Sequence, residues 1–295
     1  MDRVTEILKK IRHLEIRSRR KVDAAFAGQY HSVFKGRGMN FQDVREYQPG
    51  DEIRSIDWNV TARTGSPHVK NFTEERELTL MLVVDISPSG IFGSGENSKL
   101  ETAAEAACLL AFSAIRNNDK VGLLLFSDKV EKFIPPRKGR QHVLRLIREI
   151  LYHECSGKGT DIASTLDYLN RILPRRSIVF LISDFDAPDF ERSLSVTAQR
   201  HDLVAVHVVD AAEESLPDAG LISLEDPESG EQFVVDTSDP ETRASFSALS
   251  AENDIRLSRI FVRNQIDSIY LPTDKDCTTP LRHFFEKRER RIKLS

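Results

Sequence analysis

Four short apolar runs, each separated from the next by stretches of helical periodicity, constrain this chain more than any other feature. They are Leu80–Val84, Val121–Phe126, Ile178–Ile182 and Leu203–Val209. Continuous runs of this length, rich in Val, Ile and Leu, read as strands buried on both faces. Between them lie Lys99–Asn117, Gly139–His153, Ile162–Leu173 and Phe190–His201, whose apolar residues recur at helical spacing. Strands alternating with helices imply crossover connections, and hence an α/β architecture with a mostly parallel sheet. Val130–Ile134 suits an edge strand beside the second run. Beyond the fourth run, Leu221–Leu224 and Gln232–Val235 flank Pro227-Glu228-Ser229-Gly230 and predict a hairpin over 221–235. A long helix (Pro240–Val262), a strand (Ile266–Leu271) and a basic helix (Thr279–Ile292) follow.

The segment before the first run differs, so two regions are expected, residues 1–76 and 77–295. Val4, Ile7, Leu8, Ile11 and Leu14 predict an amphipathic first helix, which runs into the basic cluster Arg17–Lys21. Further on, Phe41–Tyr47 and Ile56–Arg63 are punctuated by Gly and Pro and read as short strands and turns. Opposite charges crowd around the single tryptophan. Arg45, Asp51, Arg54, Asp57 and Arg63 with Trp58 are therefore the candidate partner-binding residues. Such a charged region cannot build a large core alone and is expected to fold against the rest through ion pairs and Trp58.

A net charge of -4 argues against bulk affinity for nucleic acid. Cys108, Cys155 and Cys277 are odd in number and far apart, which fits no disulfide framework and suits a reducing compartment. No apolar run approaches the roughly 18 residues of a membrane span, and the amino terminus lacks an apolar signal core. A cytoplasmic protein is expected, with the basic cluster as the one feature suited to the periphery of a membrane. Between Leu203 and Arg243 there is no Lys or Arg while acids accumulate, a solvated face or an acidic docking patch.

The first apolar run ends in Asp85-Ile86-Ser87-Pro88-Ser89. One carboxylate and two hydroxyls at alternating positions suit the rim of a sheet, where open α/β folds bind ligands. Hard oxygens converging there suit Mg2+, with Mn2+ or Ca2+ as alternatives. Thr160, where the loop Ser156–Asp161 enters a helix, and Asp184, after the third run, carry the same chemistry. If Asp85 and Asp184 leave neighbouring strands, then Asp85, Ser87, Ser89, Thr160 and Asp184 meet at one point. Two carboxylates and three neutral hydroxyls would leave a divalent cation under-neutralised, with a position open to an incoming acid.

Asp85-x-Ser87-x-Ser89, Gly159-Thr160-Asp161 and Ile182-Ser183-Asp184 resemble the metal-ion-dependent adhesion site of von Willebrand factor A-type domains. Val44-Arg45-Glu46-Tyr47-x-Pro49-Gly50-Asp51-x-x-Arg54-x-x-Asp57-Trp58-x-x-x-Ala62-Arg63 resembles the bacterial family known as domain of unknown function 58, as do Val121-Gly122-Leu123 and Pro136-Arg137-Lys138-Gly139-Arg140. The resemblance implies a von Willebrand A-like, doubly wound sheet with helices on both faces, preceded by a small helix-and-strand region. It implies that Ser87, Ser89 and Thr160 contact the metal directly, with Asp85 and Asp184 acting mainly through waters. It further implies a non-enzymatic protein-binding module that works with a MoxR-type AAA+ ATPase, as adaptor or assembly factor.

Rival chemistries fit less well. A phosphohydrolase of the haloacid-dehalogenase type would use Asp85 as nucleophile but needs a second carboxylate two positions on, where Ser87 stands. In a dinucleotide loop, Gly93 and Gly95 would be followed by a third glycine where Ser98 stands. His207 lies within an apolar run and reads as a core residue, and His153 with Cys155 lacks partners for zinc. A scaffold with an empty metal site is the remaining alternative.

Overall fold

The computed structural model describes residues 12, 14–18, 20–22, 30, 33–34, 40–73, 77–225, 227–228 and 230–294. The expected first helix falls largely outside these residues, since only Leu14 of its five apolar positions is described. The chain divides into two compact units, Phe34–Leu78, and Thr79–Ser295 together with Met1–Val33.

In the smaller unit, strands β1 (Asn40–Glu46) and β2 (His68–Thr73) pair antiparallel, with a bulge between Phe41 and Asp43. The segment expected as strand and turn at Ile56–Arg63 is instead mostly helix, α1 (Trp58–Thr64). Its ends explain the difference. Asp57 accepts from the backbone N–H of Asn59 and Val60, and Gly65 closes the helix at φ 78°. A side-chain N-cap contributes about 1 kcal/mol, and a left-handed glycine satisfies the last carbonyls. Together they outweigh the modest helix propensity of Asn59, Val60 and Thr61.

The larger unit is built on a six-stranded sheet. Its strands are β3 (Thr79–Asp85), β4 (Lys120–Phe126), β5 (Val130–Arg137), β6 (Ile178–Ser183), β7 (Asp202–Val209) and β10 (Asp267–Pro272). Their spatial order is β10-β7-β6-β3-β4-β5, parallel throughout except for the antiparallel edge strand β5. The helices are α2 (Lys99–Arg116), α3 (Arg140–Tyr152), α4 (Ile162–Ile172), α5 (Glu191–Arg200), the short α6 (Ala211–Glu214), α7 (Pro240–Arg263) and α8 (Thr278–Leu294). Strands β8 (Leu221–Glu225) and β9 (Gln232–Asp236) form the expected hairpin as a separate two-stranded sheet.

Helices cover both faces of the central sheet. Met81 and Val83 of β3 face a cluster holding Leu166 and Leu169 of α4, Leu194 of α5 and Leu257 and Phe261 of α7. The intervening Leu80, Leu82 and Val84 are equally buried but point the other way. On that second face Phe180, in register with Leu82, meets the ring of Phe284 from α8 edge-on. The α2 helix is rich in alanine (Ala103, Ala104, Ala106, Ala107), which lets it approach β3 closely. Double-sided burial is thus the reason the strands read as unbroken apolar runs. The basic cluster is partly drawn into this unit, with Lys21 Nζ 2.9 Å from Glu105 and 2.7 Å from Asp276.

Candidate functional site

Strands β3 and β6 are parallel neighbours in register Val84↔Ile182, so Asp85 and Asp184 leave the sheet side by side at its carboxyl edge. From β3 the chain crosses to β4 on one side, whereas β6 joins β3 on the other. That is a topological switch point, where a crevice opens between diverging connections.

Hydrogen bonds tie four of the five expected site residues together. Asp85 Oδ1 accepts from the backbone N–H of Ser87 at 2.9 Å, and its Oδ2 accepts from Ser183 Oγ at 2.7 Å. Ser87 Oγ and Ser89 Oγ are 3.0 Å apart, and Ser89 Oγ donates to Asp184 Oδ2 at 2.9 Å. The neighbouring Phe185 holds Asp184 in place. Phe185 adopts a left-handed φ of 58°, its N–H donates to Ser183 Oγ, and its buried ring packs against Phe190, His207 and Phe261. Burying a large ring outweighs the roughly 1–2 kcal/mol that this backbone conformation costs.

Thr160 lies at the same edge of the sheet, because the next residue, Asp161, donates its N–H to Ser127 O just beyond β4. Its hydroxyl donates to Glu228 Oε1 at 2.9 Å, and no hydrogen bond joins it to the serines or to Asp184. The loop that carries it is fixed by Glu131, which accepts from Ser127 Oγ, Ser156 Oγ and the N–H groups of Ser156 and Gly157. Those four donors outweigh the effect of burial and pull the Glu131 carboxyl down to about 2. Gly157 is required by the same packing, since a Cβ there would overlap Ser127 Oγ and Asp128 Oδ1. Asp161 itself caps α4 through the N–H of Ser164.

The two carboxylates sit in opposite electrostatic surroundings. Burial, and then the charge of Asp184, push the Asp85 carboxyl up to about 7. Burial works against ionisation of Asp184 too, but the ammonium of Lys99 outweighs it and holds that carboxyl below its usual range. Lys99 Nζ lies 2.7 Å from Asp184 Oδ2 and also pairs with Glu213 at 2.5 Å. A cavity of about 20 Å³ is lined by Asp85, Ser87, Ser89, Lys99 and Asp184 among others, room for about one water-sized occupant. Its donors are hard oxygens, and Asp85 is a buried carboxylate whose hydrogen-bond partners are neutral. Both features fit a small hard cation. Among the described residues no group of three or more His, Cys, Asp or Glu is disposed to hold a metal; this site has two carboxylates, and its other oxygens are hydroxyls.

Three contributors had little local signal. Lys99 opens a helix of Ala and Leu, where the macrodipole favours an acid, and that misplaced charge was the one clue. Glu213 belongs to the short α6, whose Asp210 cap bonds Ser94 and Thr273. Glu228 meets Thr160 only because the hairpin brings its tip to that loop. Among the rival features, Ser98 is the N-cap of α2 in a capping box with Glu101, and Asp210 holds Ser94 between the two loop glycines. His207 is buried, as a core residue should be, and burial lowers its proton affinity. His153 and Cys155 both lie near Glu131.

In the smaller unit, Arg45 and Asp51 form a two-bonded ion pair at 2.8 and 2.7 Å. Asp57 serves as the α1 cap, while Arg54, Arg63 and Trp58 are exposed, Trp58 by 66%.

The family model described as Protein of unknown function DUF58 matches residues 43–256. The chain belongs to that family. It is 33% identical to the Uncharacterized protein Rv1480 of Mycobacterium tuberculosis over 285 residues, 95% of this chain and 89% of the relative. A shorter match, 28% identical over 112 residues, joins it to the Uncharacterized protein YeaD of Bacillus subtilis, covering 38% of this chain and 26% of that one. Among solved structures, the conserved hypothetical protein BatB from Bacteroides thetaiotaomicron aligns with a TM-score of 0.45 and 16% identity, over 72% of this chain and 99% of that chain. Among the described residues of this DUF58 chain, no helix is long and apolar enough to cross a membrane.

Proposed function

We propose that this DUF58 protein is a non-enzymatic, metal-dependent protein-binding module with a von Willebrand A-like adhesion site. Ser87, Ser89 and Thr160 would hold a divalent cation, Mg2+ in the first place, and Asp85 and Asp184 would orient its waters. When bound, the cation supplies a strong, incompletely neutralised positive centre for a partner's Asp or Glu. The observation that carries this reading is the Asp85–Ser87–Ser89–Asp184 network at the switch point, with one carboxylate buried among neutral donors. The remaining groups shape the crevice: Ser183 aims Asp85, Lys99 fixes Asp184, and Glu131 sets the Thr160 loop. The partner is proposed to be a MoxR-type AAA+ ATPase, for which the chain acts as adaptor or assembly factor. Metal and partner should bind with positive coupling, each strengthening the other by the same factor.

Purified chain and a MoxR-type ATPase, mixed with Mg2+ and separated by size, are expected to migrate together. EDTA or Asp85→Ala should abolish the complex. Association indifferent to both treatments would remove the metal from the mechanism, and turnover of a generic phosphate ester that is lost in Asp85→Asn would make the protein an enzyme instead.

A further inference from the structure

The tip of the β8–β9 hairpin brings an acid to Thr160, one of the proposed cation ligands, from within the chain. Glu228 is half-buried, and its Oε1 accepts from Thr160 Oγ1 at 2.9 Å. A Cβ built on the adjacent Gly159 would lie 3.4 Å from Oε2, so the carboxylate spans the Gly159-Thr160 segment. The hairpin is fastened at its base, where the buried Thr237 donates to Gly220 O and receives the N–H of Ala219. Its strands are otherwise loosely engaged, with Leu221, Phe233 and Val234 each at least half exposed. An isolated two-stranded hairpin is marginal in water, so a contact at its tip is a large part of what orients it.

From this geometry we infer that Glu228 is a built-in ligand of the adhesion site, occupying the position of a partner's carboxylate until a partner displaces the hairpin. The inference rests on the proposed cation site and adds to it the identity of the resting occupant. A tethered acid acts at an effective concentration in the millimolar range. Weak free carboxylates would be excluded, and only a partner with further contacts could open the site. The exposed apolar residues of the hairpin would move with it, which couples site occupancy to a change in surface more than one residue wide.

Mn2+ alone is a sufficient probe, titrated by calorimetry into the full chain, with hydrogen exchange of the hairpin amides followed in parallel. Glu228→Gln retains an acceptor for Thr160 and removes the charge, and its thermal midpoint in metal-free buffer is read alongside; Glu225→Gln, on the same hairpin, matches the charge change. Glu228→Gln is expected to weaken Mn2+ by about tenfold or more, since affinity follows the charge count of the ligands, with Glu225→Gln unchanged. Mn2+ should slow hairpin exchange in the wild type and not in Glu228→Gln. Equal Mn2+ affinity in wild type and Glu228→Gln, with binding lost in Ser89→Ala, would overturn the built-in ligand and leave the cation site standing. Equal weakening in both Gln variants would also overturn it, as a general charge effect. Absence of Mn2+ binding to the wild type would overturn the cation site and this inference together.

Discussion

Lys99 Nζ and Asp184 Oδ2, 85 positions apart in sequence, form a 2.7 Å ion pair in which both side chains are nearly buried. Removing one partner of a buried pair leaves an uncompensated charge and costs about 3–5 kcal/mol. Lys99→Met should therefore lower stability by that order in metal-free buffer, read by urea denaturation. It should also tighten Mg2+ binding, because the freed Asp184 carboxylate no longer shares its charge with an ammonium. A variant that loses stability without gaining affinity for Mg2+ would separate Lys99 from the site.

Mg2+ should raise the thermal midpoint of the folded chain. A ligand at a hundredfold over its Kd stabilises by about 2.7 kcal/mol, which is roughly 5–10 °C for a domain of this size. Asp85→Asn and Ser87→Ala are expected to remove most of that shift in differential scanning calorimetry while leaving the metal-free transition cooperative.

The Thr160 loop should loosen in acid. Glu131 has its carboxyl drawn down to about 2 by four donors, below its unfolded value near 4.5. Its contribution to stability is fully present above the unfolded value and is lost as pH falls through the folded one. Between pH 4.5 and 2, wild-type stability should fall more steeply than that of Glu131→Gln, measured by urea unfolding at stepped pH.

Phe185→Ala removes a fully buried ring from contact with three others. The expected cost is about 3–5 kcal/mol. The same change should weaken Mg2+ binding, since the ring anchors the turn that presents Asp184. A core substitution outside that cluster, Ile147→Ala in α3, should destabilise without the loss of affinity.

Gly157→Ala is a smaller change with a local effect. The added methyl meets Ser127 and Asp128, so the loop must shift. A destabilisation of about 1–3 kcal/mol is expected, with the Thr160–Glu228 contact disturbed first. Hydrogen exchange in the Thr160 loop and the hairpin reads this directly.

The strands of the central sheet were legible from sequence because burial on both faces leaves no polar alternation to confuse. Val84 and Ile182 sit in continuous apolar runs, and Asp85 and Asp184 mark where those runs end. The helix α1 was not legible as such. Asn59, Val60 and Thr61 are indifferent helix formers, and the decision falls to a cap at Asp57 and a left-handed Gly65. The hairpin could be read from its turn residues, but nothing in Pro227-Glu228 says what the tip will touch.

Sequence alone determined that this chain makes a crossover-connected sheet and that hydroxyls and carboxylates gather where its strands end, because strand burial and strand ends are local properties of residue type. Tertiary structure alone decided that Lys99 neutralises Asp184, that Glu131 fixes the Thr160 loop, and that Thr160 bonds to Glu228. Those are contacts between elements far apart in the chain. Their strength depends on distance and on exclusion of water, and neither is encoded until the elements have packed.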